Sequence, residues 1–210
     1  MAEIRYSTSQ DAMSHLLRGD KKLGRVIKAV GEYTIEIRPE PFRSLVEAII
    51  YQQLAGRAAD AIFGRFVKIY GGRFPSPQRI GSTDDTALRG AGLSRQKIAY
   101  LKDLSSRVHD RRLRLDRLKD LDDDKVVEEL VQVKGIGRWT AEMFLIFCLG
   151  RQDILPVGDL GLRRAMMLTY KLDGLPLPPE MHEIAAPWKP YRSVATWYLW
   201  KSLEKFKGIG

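Results

Sequence analysis

The spacing of apolar residues along the chain is the feature that most constrains its fold. In successive segments the apolar side chains recur at the interval of one buried helix face, as at Leu23, Val26, Ile27 and Val30. Only residues 33–37 alternate in the manner of a strand, and that segment is short. The sequence therefore predicts an all-α fold of around ten helices, and it contains no internal repeat.

Residues that commonly start helices lie at the borders of these apolar segments. Asp20 and Ser94 each precede a periodic segment, and both residue types cap helix N-termini. Pro41 suits the first turn of the helix that follows it. Either Asp122 or Asp123 can cap the helix that leads to the glycine-rich stretch near residue 135. These positions set the expected helix starts.

Charge and cysteine content narrow the range of partners and chemistry. The 210 residues carry a formal net charge of +9, which favours a polyanionic partner such as nucleic acid. Ribosomal and membrane-surface proteins share this excess, so charge alone leaves the partner open. A single cysteine, Cys148, excludes an intramolecular disulfide, a thiolate zinc site and a four-cysteine iron–sulfur cluster.

The chain also lacks the usual signals of membrane insertion and secretion. No apolar run approaches the roughly 18 residues that a membrane span needs. Residues 1–13 do not show the basic-then-apolar pattern of a secretory signal. We therefore expect no membrane partner and a cytoplasmic location, or a nuclear one in a nucleated cell.

The stretch from Leu130 to Ala141 has the pattern of a helix-hairpin-helix. An apolar helical end meets Gly135-Ile136-Gly137, and a second apolar helix follows. Two glycines around one aliphatic residue allow a tight turn and a close approach to another surface. The amides at the start of the second helix offer a seat for a phosphate. Gly-Ile-Gly alone is more typical of a plain turn, but the flanking helix and the Arg-Trp-Thr-Ala continuation favour the phosphate-binding interpretation.

Five segments together resemble the helix-hairpin-helix DNA glycosylases. They are Val133-Lys-Gly-Ile-Gly-Arg-Trp-Thr-Ala141, Ile154-Leu-Pro-Val-Gly-Asp159, Ala48-Ile-Ile-Tyr-Gln-Gln53, Gly92-Leu-Ser-Arg-Gln-Lys97 and Trp188-Lys-Pro-Tyr-Arg-Ser193. They span roughly residues 40 to 205. Within the HhH-GPD superfamily the chain is most similar to the AlkA-type 3-methyladenine DNA glycosylases. It looks like the compact form, because the segment before residue 40 leaves no room for the N-terminal β-rich domain of some members.

The resemblance implies two helical lobes that face each other across a DNA-binding cleft. One lobe is residues 43–151 and ends in the helix-hairpin-helix, and the other joins residues 1–42 to residues 152–210 and carries the catalytic residue. The implied partner is double-stranded DNA with damaged bases, bound by a monomer that requires no cofactor. Hairpins of this type often bind a structural monovalent cation through backbone carbonyls, here near Val131, Val133 and Ile136. No metal site is assigned to side chains, because the three histidines lack ligand spacing.

The family's catalytic aspartate falls on Asp159. Breaking an N-glycosidic bond builds positive charge on the sugar, which a nearby carboxylate stabilises while it orients the attacking water. The same position suits the N-cap of the following helix, and the two roles can coexist. Asp153 and Asp173 are the neighbouring alternatives, and neither follows the Leu-Pro-x-Gly lead.

Trp139 stands where bifunctional members carry a lysine nucleophile, two residues after the second hairpin glycine. Without that amine no Schiff base forms, so the resemblance implies a monofunctional enzyme in which water is the nucleophile. It also places Trp139 and Trp200 on positions that line the base pocket. A tryptophan face attracts a cationic alkylated purine such as 3-methyladenine or 7-methylguanine. Packing in the core is the alternative for both tryptophans.

Other segments match the family's contacts with DNA. Gln53 aligns with the wedge that fills the gap left by the flipped base, and Leu54 is the apolar alternative. Both side chains could instead cap or pack the helix end. Backbone contacts to DNA are expected from residues of the hairpin and of the Gly92–Lys97 motif: Lys134, Gly135, Gly137, Arg138, Ser94, Arg95 and Lys97.

Two other functions remain open from the sequence. The first is a glycosylase for another lesion, such as a deaminated or oxidised base or a mismatched pyrimidine. The second is a non-catalytic helix-hairpin-helix module that binds DNA. The second predicts the hairpin but does not predict Asp159 together with its tryptophans.

Overall fold

The computed structural model describes residues 4–6 and 10–206, and α-helices dominate this part of the chain. The prediction of an all-α fold is confirmed. The chain divides into two compact units, residues 1–38 with 145–210 and residues 39–144. The two functional lobes expected at 43–151 and at 1–42 with 152–210 stay a prediction.

The first unit combines N-terminal and C-terminal elements. Its members are β1 (Ile4–Tyr6), α1 (Gln10–Gly19), α2 (Lys21–Val30), β2 (Ile35–Ile37), α10 (Leu160–Tyr170), α11 (Pro178–Ala185), a 3-10 helix (Ala186–Trp188) and α12 (Arg192–Phe206). The strand predicted within residues 33–37 is confirmed at Ile35–Ile37. It pairs antiparallel with β1, a partner that the apolar pattern did not predict.

The second unit is continuous along the chain. Its members are α3 (Pro41–Tyr51), α4 (Gly56–Ile69), α5 (Pro77–Ser82), α6 (Asp85–Gly90), α7 (Arg95–His109), a 3-10 helix (Leu115–Asp120), α8 (Asp123–Leu130) and most of α9 (Arg138–Phe147). Twelve α-helices thus lie in the described residues, more than the ten expected, because α5 and α6 are too short to show a helical period. Among the described residues no helix has the length and apolar character needed to cross a membrane.

Asp20 joins three elements of the first unit. Its Oδ1 caps α2 by accepting hydrogen bonds from the amides of Lys22 and Leu23 at 2.9 and 3.0 Å. Its Oδ2 accepts from the Tyr170 hydroxyl and from Trp188 Nε1. Burial opposes the charge of Asp20, but the bonds from Trp188, Tyr170 and the two amides outweigh it and lower the pKa of the carboxyl. The predicted cap is confirmed, and it also ties α2 to α10 and to the 3-10 helix.

The core of the second unit is built from the apolar faces of the predicted helices together with Ile80 of the short helix α5. Helix α3 packs against α4 and α7, and α5 packs against α7. The largest fully buried side chains of these helices are Leu45, Ile49, Ile50, Phe66, Ile80, Leu101 and Leu104. Pro41 is the first residue of α3, and Ser94 caps α7 by accepting from the Lys97 amide at 3.2 Å, so both predicted helix starts are confirmed. This packing fixes the loops that carry the candidate DNA contacts.

Candidate active site

The predicted helix-hairpin-helix is formed by α8, residues 131–137 and α9. Ile136, between the two hairpin glycines, is only 4% exposed. Its amide donates to the carbonyl oxygen of Val133 at 3.0 Å, and the Ala141 amide donates to that of Gly137 at 3.1 Å. Helix α9 therefore begins directly after Gly137. The first amides of a helix have no acceptor within the helix, which is the arrangement that a phosphate seat requires.

Gly135 allows the hairpin to lie close against α7. Its φ is +81°, and a Cβ built on it would overlap the Tyr100 ring. Beside this contact, Asp103 Oδ2 accepts hydrogen bonds from the Lys134 amide and from Arg107 Nε, both at 2.9 Å. The backbone of the hairpin is thus fixed on α7 by close packing and by a charged acceptor.

Asp159 lies at the N-cap of α10. Its Oδ1 accepts a hydrogen bond from the Leu162 amide at 2.6 Å. The Asp159 amide donates to the carbonyl oxygen of Pro156 at 2.9 Å, so the Leu-Pro-Val-Gly lead forms a tight turn. The predicted capping role is confirmed, and the helix N-terminus favours a negative charge at this position.

Trp200 is the side chain that holds Asp159 from α12. Its Nε1 donates to Asp159 Oδ1 at 2.8 Å, and its ring stacks on Phe147 with centroids 6.0 Å apart. A Cβ at Gly161 would lie 3.1 Å from Asp159 Oδ1 and 3.5 Å from Trp200 Cδ1. The glycine therefore leaves the space in which the carboxylate and the indole meet. The structure brings Trp200 and Asp159 together, and the role of Trp200 as a wall of the base pocket stays a prediction.

Trp139 and Arg138 lie on the first turn of α9. Trp139 is 47% exposed, so the alternative of core packing is wrong for this residue, and its place in the base pocket stays a prediction. Arg138 has a largely exposed side chain whose Nε bonds to Glu142 Oε1 at 3.1 Å. The buried Glu142 thus holds the Nε side of the guanidinium, and Arg138 Nη2 lies 3.9 Å from Oδ1 of the exposed Asp124 on α8.

Residues 52–55, here called the wedge turn, connect α3 to α4. Gln53 is exposed and has a φ of +57°, and Leu54 is 37% exposed. The amide of Leu54 donates to the carbonyl oxygen of Tyr51 at 3.3 Å. Neither candidate wedge side chain is buried in the core. The choice between Gln53 and Leu54 as the wedge stays a prediction.

The other residues predicted to contact the DNA backbone are exposed, except for Lys97, which is half-buried. The exposed residues are Lys134, Ser94 and Arg95. Their contact with the DNA backbone stays a prediction. Lys97 instead directs its Nζ to the carbonyl oxygens of Ile50 at 2.6 Å and of Gln52 at 2.8 Å. At most one of the three N–H donors of its ammonium is left for a phosphate. Burial lowers the pKa of Lys97.

Sequence reasoning missed three residues that shape these elements. Gln52 donates from Nε2 to the carbonyl oxygen of Gly135 at 2.8 Å, Asp103 accepts from the hairpin, and Gly161 makes room beside Asp159. The adjacent glutamines of the Tyr-Gln-Gln segment were the only sequence signal for Gln52. No periodic or spacing signal marked the other two residues.

The described residues contain no grouping of three or more histidine, cysteine or acidic side chains that could hold a metal ion. The single cysteine of the chain, Cys148, is buried. The groups that the structure gathers at the candidate site are the Asp159 carboxylate, the Leu162 amide, the Trp200 indole and the Phe147 ring.

Comparison with known proteins gives the class of this chain. Residues 46–190 match the HhH-GPD superfamily of base excision DNA repair proteins. The matched region begins in α3, contains the hairpin and Asp159, and ends before α12. The chain belongs to this superfamily, and the resemblance drawn from its five segments is confirmed.

One curated relative and two solved structures show what this chain is similar to within the superfamily. DNA-3-methyladenine glycosylase 1 of Schizosaccharomyces pombe is 36% identical over 194 residues, which are 90% of this chain and 85% of the relative. The crystal structure of a Bacillus halodurans DNA-3-methyladenine glycosidase has a TM-score of 0.87 at 37% identity, covering 98% of this chain and 94% of the other. The S. pombe 3-methyladenine DNA glycosylase Mag1 in complex with abasic DNA has a TM-score of 0.78 at 34% identity, covering 93% and 97%.

Proposed function

We propose that this protein is a monofunctional DNA glycosylase of base excision repair that removes alkylated purines of the 3-methyladenine and 7-methylguanine type. The observation that carries the proposal is the placement of Asp159. Its carboxylate is fixed at a helix N-terminus by the Leu162 amide and the Trp200 indole. The names of the relatives, 3-methyladenine glycosylases at 34–37% identity, support the alkylated purine as substrate.

Asp159 would act on the sugar of the damaged nucleotide. As the bond between C1′ and the base nitrogen breaks, its electron pair leaves with the base and positive charge develops on the sugar. A preoriented carboxylate stabilises that charge without having to reorganise. Water then forms a bond from its oxygen to C1′ and releases a proton to solvent, which carries away the positive charge of the alkylated substrate. The two donors on Oδ1 keep the carboxylate in place during this step.

The reaction would stop at the abasic site. Trp139 occupies the position where bifunctional members have their lysine, so this position offers no amine for a Schiff base and the DNA backbone stays intact. An alkylated purine is itself cationic and already a good leaving group. This property fits a site whose identified reacting group is one carboxylate and whose aromatic side chains attract cationic rings.

Double-stranded DNA is the proposed partner. The net charge of +9 and the hairpin with the amides of α9 at its end favour phosphate contacts. The complex of the Mag1 relative with abasic DNA supports the same partner. We also propose that the protein is a monomer, because scanning of DNA needs no second subunit. Its proposed location is the cytoplasm, or the nucleus of a nucleated cell. We further propose that a structural monovalent cation binds the hairpin through the carbonyl oxygens near Val131, Val133 and Ile136.

Release of free bases from defined DNA tests the function. Duplex DNA treated with a methylating agent is incubated with the protein, and the released bases are separated by chromatography and identified by mass. The proposal predicts release of 3-methyladenine and 7-methylguanine, and no protein–DNA adduct after borohydride reduction. Parallel duplexes with hypoxanthine, 8-oxoguanine or a mismatched thymine cover other lesions. Release of a base from one of these duplexes alone would assign that lesion as the substrate in place of alkylated purines. DNA binding without any release would favour a non-catalytic module.

A further inference from the structure

The wedge turn contains a residue in a strained backbone conformation. Gln53 adopts the left-handed region with a φ of +57°, which costs free energy for any residue with a Cβ. The Leu54 amide donates to the Tyr51 carbonyl oxygen at 3.3 Å across this residue, and the Ala55 carbonyl oxygen accepts from the amides of Ala58 and Ala59, both at 3.0 Å. Two side-chain contacts join this strained turn to other elements of the unit.

Lys97 supplies the first of these contacts. Its ammonium reaches from the first turn of α7 to the end of α3, where it donates to the carbonyl oxygens of Ile50 and Gln52 at 2.6 and 2.8 Å. The last carbonyls of a helix have no partner within the helix, and a cation there also matches the negative end of the helix dipole. One side chain thus satisfies two backbone groups on either side of Tyr51, directly before the left-handed residue.

Gln52 supplies the second contact. Its Nε2 donates to the carbonyl oxygen of Gly135 at 2.8 Å, across 83 positions of the sequence. Gly135 lies in the hairpin, whose neighbouring residue Lys134 is in turn bonded through its amide to Asp103 of α7. The wedge turn and the hairpin are therefore bonded directly to each other, and both are anchored to α7.

We propose that Lys97 and Gln52 form a wedge clamp, a pair of positioning residues that hold the wedge turn in the conformation needed to enter DNA. Through Gly135 the clamp fixes the turn relative to the hairpin, so that capture of a phosphate and insertion of the wedge start from one rigid arrangement. The clamp rests on the proposed function, since it acts only if Gln53 or Leu54 fills the gap left by a flipped base. In this proposal Lys97 positions the wedge turn for base flipping and does not contact a phosphate.

Loss of the clamp and loss of folding stability should affect base release from different substrates differently. A clamp variant should act poorly on a base that has to be extruded from an intact stack. It should act nearly normally on the same base when extrusion is easy. A variant that is merely less well folded would lose the same fraction of activity on both substrates.

The test compares two duplexes with a single 7-methylguanine, placed opposite cytosine or opposite an abasic analogue. Single-turnover release is measured for the native chain, Lys97→Met, Gln52→Leu and the conservative Lys97→Arg. Because a hydrogen bond to a charged group is strong, Lys97→Met should slow release from the paired duplex by about 10- to 100-fold. Release opposite the abasic analogue should slow by less than about threefold, and Lys97→Arg should recover most of the paired rate. Gln52→Leu should show the same asymmetry with a smaller loss.

Lys102→Met is the matched control, because Lys102 lies on the same helix and pairs with the exposed Asp85. It should release base at the native rate from both duplexes. A second readout places 2-aminopurine beside an uncleavable abasic analogue, where native binding should raise its fluorescence and Lys97→Met should raise it less at saturating protein.

Equal losses on the two duplexes, or a native rate for Lys97→Met on the paired one, would overturn the clamp while leaving the proposed function intact. A native chain that releases base from neither duplex would overturn the proposed function and the clamp with it.

Discussion

Replacement of Trp200 by phenylalanine isolates the contact that holds the candidate catalytic carboxylate. Phenylalanine keeps an aromatic ring to pack on Phe147 but removes the Nε1 donor that lies 2.8 Å from Asp159 Oδ1. Asp159 then keeps the Leu162 amide as its donor on that oxygen, so α10 stays capped while the carboxylate loses the anchor from α12. We expect slower base release from a folded protein.

The size of the effect follows from the bond that is lost. A hydrogen bond to a charged acceptor contributes about 1.5–3 kcal/mol, and each 1.36 kcal/mol of barrier is about tenfold in rate, so release should slow by about 10- to 100-fold. The smaller ring should cost about 1–2 kcal/mol of folding free energy, which lowers the melting temperature of a chain of this size by roughly 2–8 °C. Single-turnover release from methylated duplex DNA well below that temperature measures the rate.

Trp197→Phe is the control on the same helix. Trp197 is buried against Tyr33, with ring centroids 4.8 Å apart, and should lose similar stability while keeping the native rate of release. If Trp200 acts through Asp159, then Trp200→Phe should slow an Asp159→Asn protein by less than about threefold. A Trp200→Phe protein at the native rate, or fully additive losses in the double variant, would refute this reasoning.

Three further substitutions probe the frame around the site. Gly135→Ala should lower folding free energy by about 2–4 kcal/mol and weaken duplex binding, because its Cβ would overlap the Tyr100 ring at a positive φ; melting curves and fluorescence anisotropy check this. Gly161→Ala should slow base release and change the melting temperature little, since its Cβ would press on Asp159 Oδ1. Asp20→Asn should lower the melting temperature at neutral pH by roughly 2–4 °C, because the bonds that Asp20 accepts lose their negative charge. The effect stays small because Asp20 is only partly buried and solvent screens these bonds. The pKa of Asp20 is lowered in the folded protein, so its stabilisation is present above 3.8, the ordinary pKa of an aspartate, and is lost as the pH falls through the folded value; the native and Asp20→Asn melting temperatures should converge there.

The helical framework could be predicted because its signals are local. Apolar spacing gave the buried faces of α2, α3 and α7, and the capping residues Asp20 and Ser94 stand where the sequence placed them. The N-cap role of Asp159 followed in the same way from residues close in sequence. Short helices such as α5 and α6 escaped this reasoning because six residues are too few for a helical period.

The contacts that arrange the site could not be predicted because they join distant parts of the chain. Gln52 and Gly135 are 83 positions apart, and Trp200 and Asp159 are 41 positions apart. Which donor finds which acceptor depends on the packing of whole helices, and periodicity does not carry that information. Lys97 shows the consequence, since a lysine in a basic motif suggests a phosphate contact, whereas its ammonium is used by two carbonyls of the protein.

The most direct test of the account is single-turnover release of 3-methyladenine from methylated duplex DNA by the native chain and by Asp159→Asn. Asparagine caps helices about as well as aspartate, so α10 should remain intact and DNA should still bind. Loss of the charge should slow release by about 10²- to 10³-fold, the scale of one preorganised electrostatic contact to a transition state. Asp173→Asn, an exposed neighbour, should keep the native rate. An Asp159→Asn protein that binds DNA and releases 3-methyladenine at the native rate would contradict the assignment of Asp159 as the catalytic residue.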